Sequence, residues 1–339
     1  MISRKIGLLL TVLWGFGSPW LAIASDTLLV NPSNTRCGEP SVSVFCSIQG
    51  VIDMAPLGAT IHIDAGEYDL WGEALIVEKS LTLQGAGPIK TILDGGGDSP
   101  EPLITIAESA ETVVIQGMSL VNRIRSGSRD MGPGAIDHIG GNLTVSNVVM
   151  RDNQGGWGGA VRIRSEFGEF SFDQVTIENN SSFAGAAIAV YDGPGARLEI
   201  KNSKFSNNSA VFSGGAMFFR DLSEIELNNL ELTKNRSGNT GGAIHVFTQT
   251  TSTEMNIFDS KITENISGST GGISVMGDEV QVTLERTILS GNTSEDDPVE
   301  SDCSADREGM FVSKGNNRIG IGDGCLFDTS ESDIVGTMN

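Results

Sequence analysis

Residues 198–220 read LEIKNSKFSNNSAVFSGGAMFFR. Leu198 and Ile200 alternate with Glu199 and Lys201, the period-two pattern of a half-buried strand. Lys204-Phe205-Ser206 is a second short strand that ends at Asn207-Asn208. After the Gly214-Gly215 turn, Ala216-Met217-Phe218-Phe219-Arg220 is a third. Three strands of a few residues, separated by Asn and Gly turns, make one coil of a parallel β-helix.

The same unit recurs along the chain. Asn153, Asn180, Asn208, Asn235, Asn265 and Asn292 lie 27, 28, 27, 30 and 27 residues apart. Each stands three residues after an apolar residue (Met150, Ile177, Phe205, Leu232, Ile262, Leu289). Small-residue clusters follow them, such as Gly158-Gly159-Ala160 and Gly241-Gly242-Ala243. A constant period of this length is the mark of stacked supersecondary units. The pairs Leu143/Val145, Phe170/Phe172, Ile225/Leu227, Met255/Ile257 and Val282/Leu284 take the places of Leu198 and Ile200. Asparagine suits the turn because it tolerates the left-handed conformation and hydrogen-bonds its neighbours. Stacked at one coil per ~4.8 Å, successive amides are expected to form an interior ladder. Arg123, not Asn122, falls at the ladder position one coil earlier, so the asparagines are expected to begin one coil later.

The expected fold is all-β: a single right-handed parallel β-helix of nine to ten coils with a capping helix and disulfide-stapled ends. Residues 1–24 read as a signal peptide: Arg4 and Lys5, the apolar run from Ile6 to Phe16, then Ala22-Ile23-Ala24. Residues 25–59 form the N-terminal cap, 60–293 the β-helix and 294–339 the C-terminal cap. Within the first cap, Ile48, Val51, Ile52 and Ala55 share one face of a short helix. Thr60 to Asp64 opens the first coil, and Gly66-Glu67-Tyr68 resembles the G-x-Y turn common after it in proteins of the pectin-lyase-like superfamily. No other stretch approaches the ~18 apolar residues of a membrane helix, so the expectation is a secreted or periplasmic monomer.

The formal charge of −21 becomes −23 without Arg4 and Lys5, which opposes binding to nucleic acid or acidic membranes. Four cysteines in an exported chain imply two disulfides. Three pairings are possible, and spacing favours Cys37–Cys46 and Cys303–Cys325. No C-x-x-C pair suggests a metal site.

Phe205-Ser206-Asn207-Asn208 with Gly214-Gly215-Ala216-Met217, and Asn235 with Gly241-Gly242-Ala243-Ile244, resemble the paired FxxN and GGA[ILV] repeats of polymorphic outer membrane proteins. More broadly, residues 37–330 resemble secreted bacterial β-helix proteins of the pectin-lyase-like superfamily. That resemblance implies the fold. It does not choose an activity, since the superfamily includes lyases, hydrolases, epimerases and adhesins. The strict FxxN form occurs only at 205–208, and the C-terminal β-barrel of the outer membrane family is not expected in this chain. Autotransport is therefore not implied.

Alternation along the strand after each small cluster points Ile136, Val161, Ile188, Met217, Ile244 and Ile273 inward. Asp137, Arg162, Ala189, Phe218, His245 and Ser274 then form one outward column. Ile139, Arg164, Tyr191, Arg220, Phe247 and Met276 form the next. Arg162, Arg164, Tyr191, Phe218, Arg220, His245 and Phe247 are the candidate glycan-binding residues of a module expected to bind an extracellular glycan or another cell-surface partner, in an adhesion or structural role. Aromatic rings stack on sugars, and arginines pair with uronate or sulfate. A lyase on an anionic glycan is the alternative, with Arg162 or Arg220 neutralising the uronate and His245 or Tyr191 near the abstracted proton.

Other motifs are weaker. Asp94-Gly95-Gly96-Gly97-Asp98 lacks the twelfth-position Glu of an EF-hand, having Thr105 there. Ser294-Glu295-Asp296-Asp297 with Glu300 and Asp302 could gather Ca2+, though a solvated loop suffices, and no other cofactor is expected. Asp130, Asp137 and His138 are assigned to a loop-rich insertion (Arg123–Gly134) expected to overhang the groove; they do not reproduce the paired-aspartate pattern of β-helix galacturonases, and His138 alternates inward. Asn180, Asn235, Asn265 and Asn292 open N-x-[ST] sequons that the repeat itself explains.

Overall fold

In a computed structural model the chain is described over residues 27–31, 44–98, 100–124, 132–277, 279–296, 301–306, 309–320, 324–325 and 327–336. The expected signal peptide, Cys37 and Asp130 lie outside these residues.

Every strand pairing is parallel and joins one coil to the next, as in 217–220 against 244–247 and 244–247 against 273–276. The fold is a right-handed parallel β-solenoid of about nine turns. One nine-stranded sheet runs from Leu75–Val77 through Met217–Arg220 to Cys303–Asp306. The other two walls are joined into a single twenty-stranded sheet, because long strands such as Asn142–Arg151, Gly195–Ser206 and Glu224–Thr233 run through the corner between them. At that corner one residue per coil takes positive φ: Asn147 at 51°, Asn202 at 51° and Asn229 at 53°. The corner thus turns a strand instead of ending it. A narrow five-stranded sheet of two-residue strands, including Ser209–Ala210, follows the asparagine column.

The amide ladder is present and buried. Asn208 Oδ1 accepts from Asn180 N at 3.1 Å and from Asn180 Nδ2 at 3.0 Å. Asn208 Nδ2 donates to Ile177 O at 2.9 Å and to Asn235 Oδ1 at 3.0 Å. The same pattern runs from Asn153 to Asn292. Its ends differ in a chemically sensible way. Arg123 starts it as a donor, giving its backbone N–H to Asn153 Oδ1 and its guanidinium to the Glu101, Gln154 and Pro100 carbonyls. Asp302 ends it as an acceptor, taking both the N–H and the Nδ2 of Asn292 at Oδ1. Interior positions must donate and accept at once, which a primary amide does and a carboxylate does not.

One expectation about this column needs correction. The ladder asparagines are not the left-handed residues; the residue before each one is, including Asp152, Asn179, Asn207, Lys234 and Glu264 at φ 55–59°. The bend precedes the ladder so that the asparagine itself points inward. Lys234 and Glu264 hold this uncommon conformation, because the buried amide next to them fixes the corner.

The interior alternates as expected, with Ile136, Val161, Ile188, Met217, Ile244 and Ile273 all fully buried. The helix Ile48–Met54 covers the N-terminal end with Ile48, Val51 and Ile52 buried, and Ser47 caps its first turn through Gly50 N. Thr27–Val30 already pairs with Thr60–Ile63, so a strand in register precedes Thr60. Gly66–Asp69 is a strand paired to residues 91–94, not a turn. Alternation carries Tyr68 inward there, and its hydroxyl donates to Asp64 O at 3.0 Å. At the other end pairing continues past Asn292 through Cys303–Asp306, Met310–Ser313 and Arg318–Ile319 to Ile334–Val335. No helix among the described residues is long and apolar enough to cross a membrane.

Cys303 is joined to Cys325, 22 residues on, and Cys46 is also disulfide-bonded. Closing a loop of that length stabilises by about 3 kcal/mol through the unfolded chain. A Cys303→Ala/Cys325→Ala variant should therefore lose about that much in urea titrations, with the far N-terminal coils still folded by hydrogen exchange. An unchanged midpoint would show that the staple adds nothing.

Candidate functional site

The register brings the expected columns together. Arg162 lies beside Asp137 and Ala189, Phe218 beside Ala189 and His245, and His245 beside Ser274. What alternation did not reveal is that this outward column is covered. Arg162 is 8% exposed, while Phe218 and His245 are each 4% exposed. The cover is the segment just before each glycine pair. Its residues Trp157 and Ala184 bridge one another, as do Ser213, Thr240 and Thr270. This run lies alongside the column: Ala184, Ala189 and Phe218 form a buried apolar cluster against which Trp157 packs. Further along, Thr270 Oγ1 donates to Ser304 Oγ at 2.9 Å. The glycines make the close approach possible. Gly214 has φ +66°, and a Cβ there would run into the Met217 carbonyl.

Arg162 and Asp137 form a buried two-pronged ion pair, Nε to Oδ1 and Nη2 to Oδ2, both at 2.8 Å. Arg164 adds a third bond to Asp137 Oδ2 at 3.0 Å. Burial opposes the Arg162 charge, but the hydrogen bond and charge of Asp137 overcome it and raise its pKa. Arg162 is therefore already neutralised within the protein.

His245 is buried with Nδ1 lacking a hydrogen-bond partner, and burial pulls its pKa down to about 4, opposed by a hydrogen bond that the ring donates to the Ser274 backbone. His138 is likewise fully buried with neither ring nitrogen partnered. It meets Phe170 edge-on at 5.4 Å, and burial holds it at about 4 against the pull of Asp137. Both imidazoles are neutral near pH 7.

The accessible surface is the second column together with aromatics outside both columns. Arg164, Tyr191, Arg220, Phe247 and Met276 are partly exposed. Arg220 sits over the Tyr191 ring at 5.5 Å and pairs with Asp192. Burial raises the Tyr191 pKa, opposed by the nearby Arg162 and Arg164. Trp157 links this column to the covering segment, with ring centroids 5.4 Å from Tyr191, 5.2 Å from Phe218 and 5.9 Å from Phe183. Phe183 and Phe212 then stack face to face at 5.4 Å and 6°, 37% and 44% exposed. Their signal was in the sequence. Counted back from the first glycine of each small-residue cluster, the residue before it (Trp157) and the one before that (Phe183, Phe212) are also columns.

Among the described residues no group of three or more His, Cys, Asp or Glu side chains is placed to hold a metal ion. Asp297 and Glu300 of the acidic segment lie outside those residues.

Solved structures with a similar course of chain include the A-module of Azotobacter vinelandii mannuronan C-5 epimerase AlgE6, with a TM-score of 0.45 and 13% identity over 86% of this chain and 93% of that one. The A-module of A. vinelandii mannuronan C-5 epimerase AlgE4 gives 0.43 and 15% over 86% and 91%. A pectin methylesterase in complex with a hexasaccharide gives 0.43 and 12% over 90% and 93%. No protein-family model matches the chain, and no curated protein does.

Proposed function

We propose that the protein is an exported β-helix module that binds an extracellular glycan through an aromatic strip flanked by arginines. The observation that carries this is the half-exposed Phe183–Phe212 stack joined through Trp157 to Tyr191 and Arg220. Large apolar rings left exposed in a row on a chain of this charge mark a binding surface. Flat faces adjoining cationic groups suit the apolar faces and acidic substituents of sugar rings. Partly exposed Arg164 and Arg220 are the cations within reach of a ligand; Arg162, Phe218 and His245 support the strip from beneath.

Lyase chemistry has less support. A base must reach the C5 proton, yet His245 is covered and Tyr191 has its pKa raised. Incubation with alginate, pectate and glycosaminoglycans should yield no unsaturated product by absorbance.

The binding test is Phe183→Ala/Phe212→Ala. Central aromatic anchors of a binding surface each contribute about 1–2 kcal/mol, so the pair should weaken retention on the preferred glycan gel by tenfold or more. Unchanged retention would remove the strip as the binding surface.

A further inference from the structure

A groove of about 320 Å3 opens on the outer face of the wall that contains Lys261–Thr263, Ile288–Leu289 and Arg318–Ile319. Strand register places Lys261, Ile288 and Arg318 in one outward column, in that order. The two cations are thus two coils apart, roughly 10 Å along the axis, with the apolar Ile288 side chain between them. The charges around this pair differ from those elsewhere on the wall. Lys204 pairs with Glu231 at 3.4 Å, and Glu264 at the groove's rim faces Lys234 at 3.8 Å. Lys261 and Arg318 have no ion pair among the described residues.

A second, independent feature lies in the groove lining. Thr263 is 8% exposed, and its hydroxyl has no hydrogen-bond partner. A buried unpaired hydroxyl carries a desolvation cost, and Thr263 is one of the residues that line the groove. Ser290 lines the same wall one coil on. Two unpaired cations, an unpartnered donor and an apolar floor together describe a receptor for an oxyanion carried on a partly apolar body.

We propose that this groove is an anion-binding site for a carboxylate- or sulfate-bearing ligand. Lys261 and Arg318 hold the charge, Thr263 supplies a hydrogen bond, and Ile288 contacts the ligand's apolar face. The site is separate from the aromatic strip and does not depend on its role.

The test uses the full chain with two probes, inorganic sulfate and a hexameric oligogalacturonate, followed by calorimetry and by amide NMR shifts at Ser290, Gly291 and Gly320. Lys261→Met/Arg318→Gln removes the charge while keeping both stems, and should weaken binding tenfold or more. Thr263→Val, which preserves shape, should weaken it about threefold. Phe183→Ala/Phe212→Ala should leave the shifts at this groove unchanged, which separates failure here from failure of the strip. Sulfate binding without the oligomer identifies a free oxyanion as the ligand, whereas mutual competition identifies an acidic saccharide. Absence of binding by both probes, or equal binding by the charge-neutralised variant with an unaltered melting profile, overturns the proposal.

Discussion

Asn208→Ala should destabilise the protein by about 4 kcal/mol. The side chain makes four buried hydrogen bonds: two accepted from Asn180, one donated to the Ile177 carbonyl and one to Asn235. Alanine leaves the Asn180 N–H and the Ile177 carbonyl buried without this partner, at about 1–3 kcal/mol for each stranded group. Asn180 Nδ2 keeps its bonds to the Met150 and Glu178 carbonyls, which limits the loss there. Asn208→Asp separates amide chemistry from shape. It retains the acceptor but turns a carboxylate oxygen toward the Ile177 carbonyl and Asn235 Oδ1, so at neutral pH it should be at least as damaging as alanine. Part of the loss should return at acid pH, when the carboxyl group can donate. Asn239→Ala, at an exposed asparagine outside the ladder, is the control and should fall within about 0.5 kcal/mol of wild type. Urea titrations of the three variants decide the matter. A ladder variant as stable as the Asn239 control would mean the column merely accompanies the fold.

The second large effect is acid lability from the two buried histidines. Each has a folded pKa of about 4 against an unfolded value of about 6.5. Between those values the unfolded chain binds the proton and the folded chain does not, so stability falls as pH falls. The native advantage is intact above pH 6.5 and lost progressively down to about pH 4. A shift of that size corresponds to about 3 kcal/mol per histidine. His138→Leu and His245→Phe should each flatten the pH dependence of the urea midpoint in this window by about that amount. Carboxylates titrate in the same range, so the readout is the difference between wild type and variant. Parallel curves would place both imidazoles in contact with water or with partners that accept their charge.

The ladder made the coil boundaries legible, because a 27–30-residue spacing can be counted and each register position inherits its neighbour's place. That is why Arg162, Phe218 and His245 were correctly aligned, why Arg123 was placed at the head of the column, and why His138 was expected inside. Period-two alternation says only which side of a strand a residue faces. It is silent on a second layer of chain laid over the outer side. Here the residue before each glycine pair (Trp157, Ala184, Ser213, Thr240, Thr270) forms that layer, and the turn glycines let it approach. The consequence for function is specific. Arg162, Phe218 and His245 of the expected face are covered, while Arg164, Tyr191, Arg220 and Phe247 stay partly exposed beside Phe183 and Phe212. Asp137 shows the same limit: its place in the column was read correctly, but its capture of Arg162 depends on side-chain geometry that spacing does not encode.

The most direct test of the proposed glycan-binding surface is the fluorescence of Trp157, which sits between Phe183, Tyr191 and Phe218. Trp14, Trp20 and Trp71 are the other tryptophans. Replacing these three by Phe leaves Trp157 as the sole reporter, to be titrated with oligosaccharides of the glycan retained on gels. A saturable emission change, abolished by Phe183→Ala/Phe212→Ala and with the same midpoint as calorimetric binding, is the predicted result. Calorimetric binding with no change at Trp157 would contradict it and place the glycan elsewhere on the solenoid.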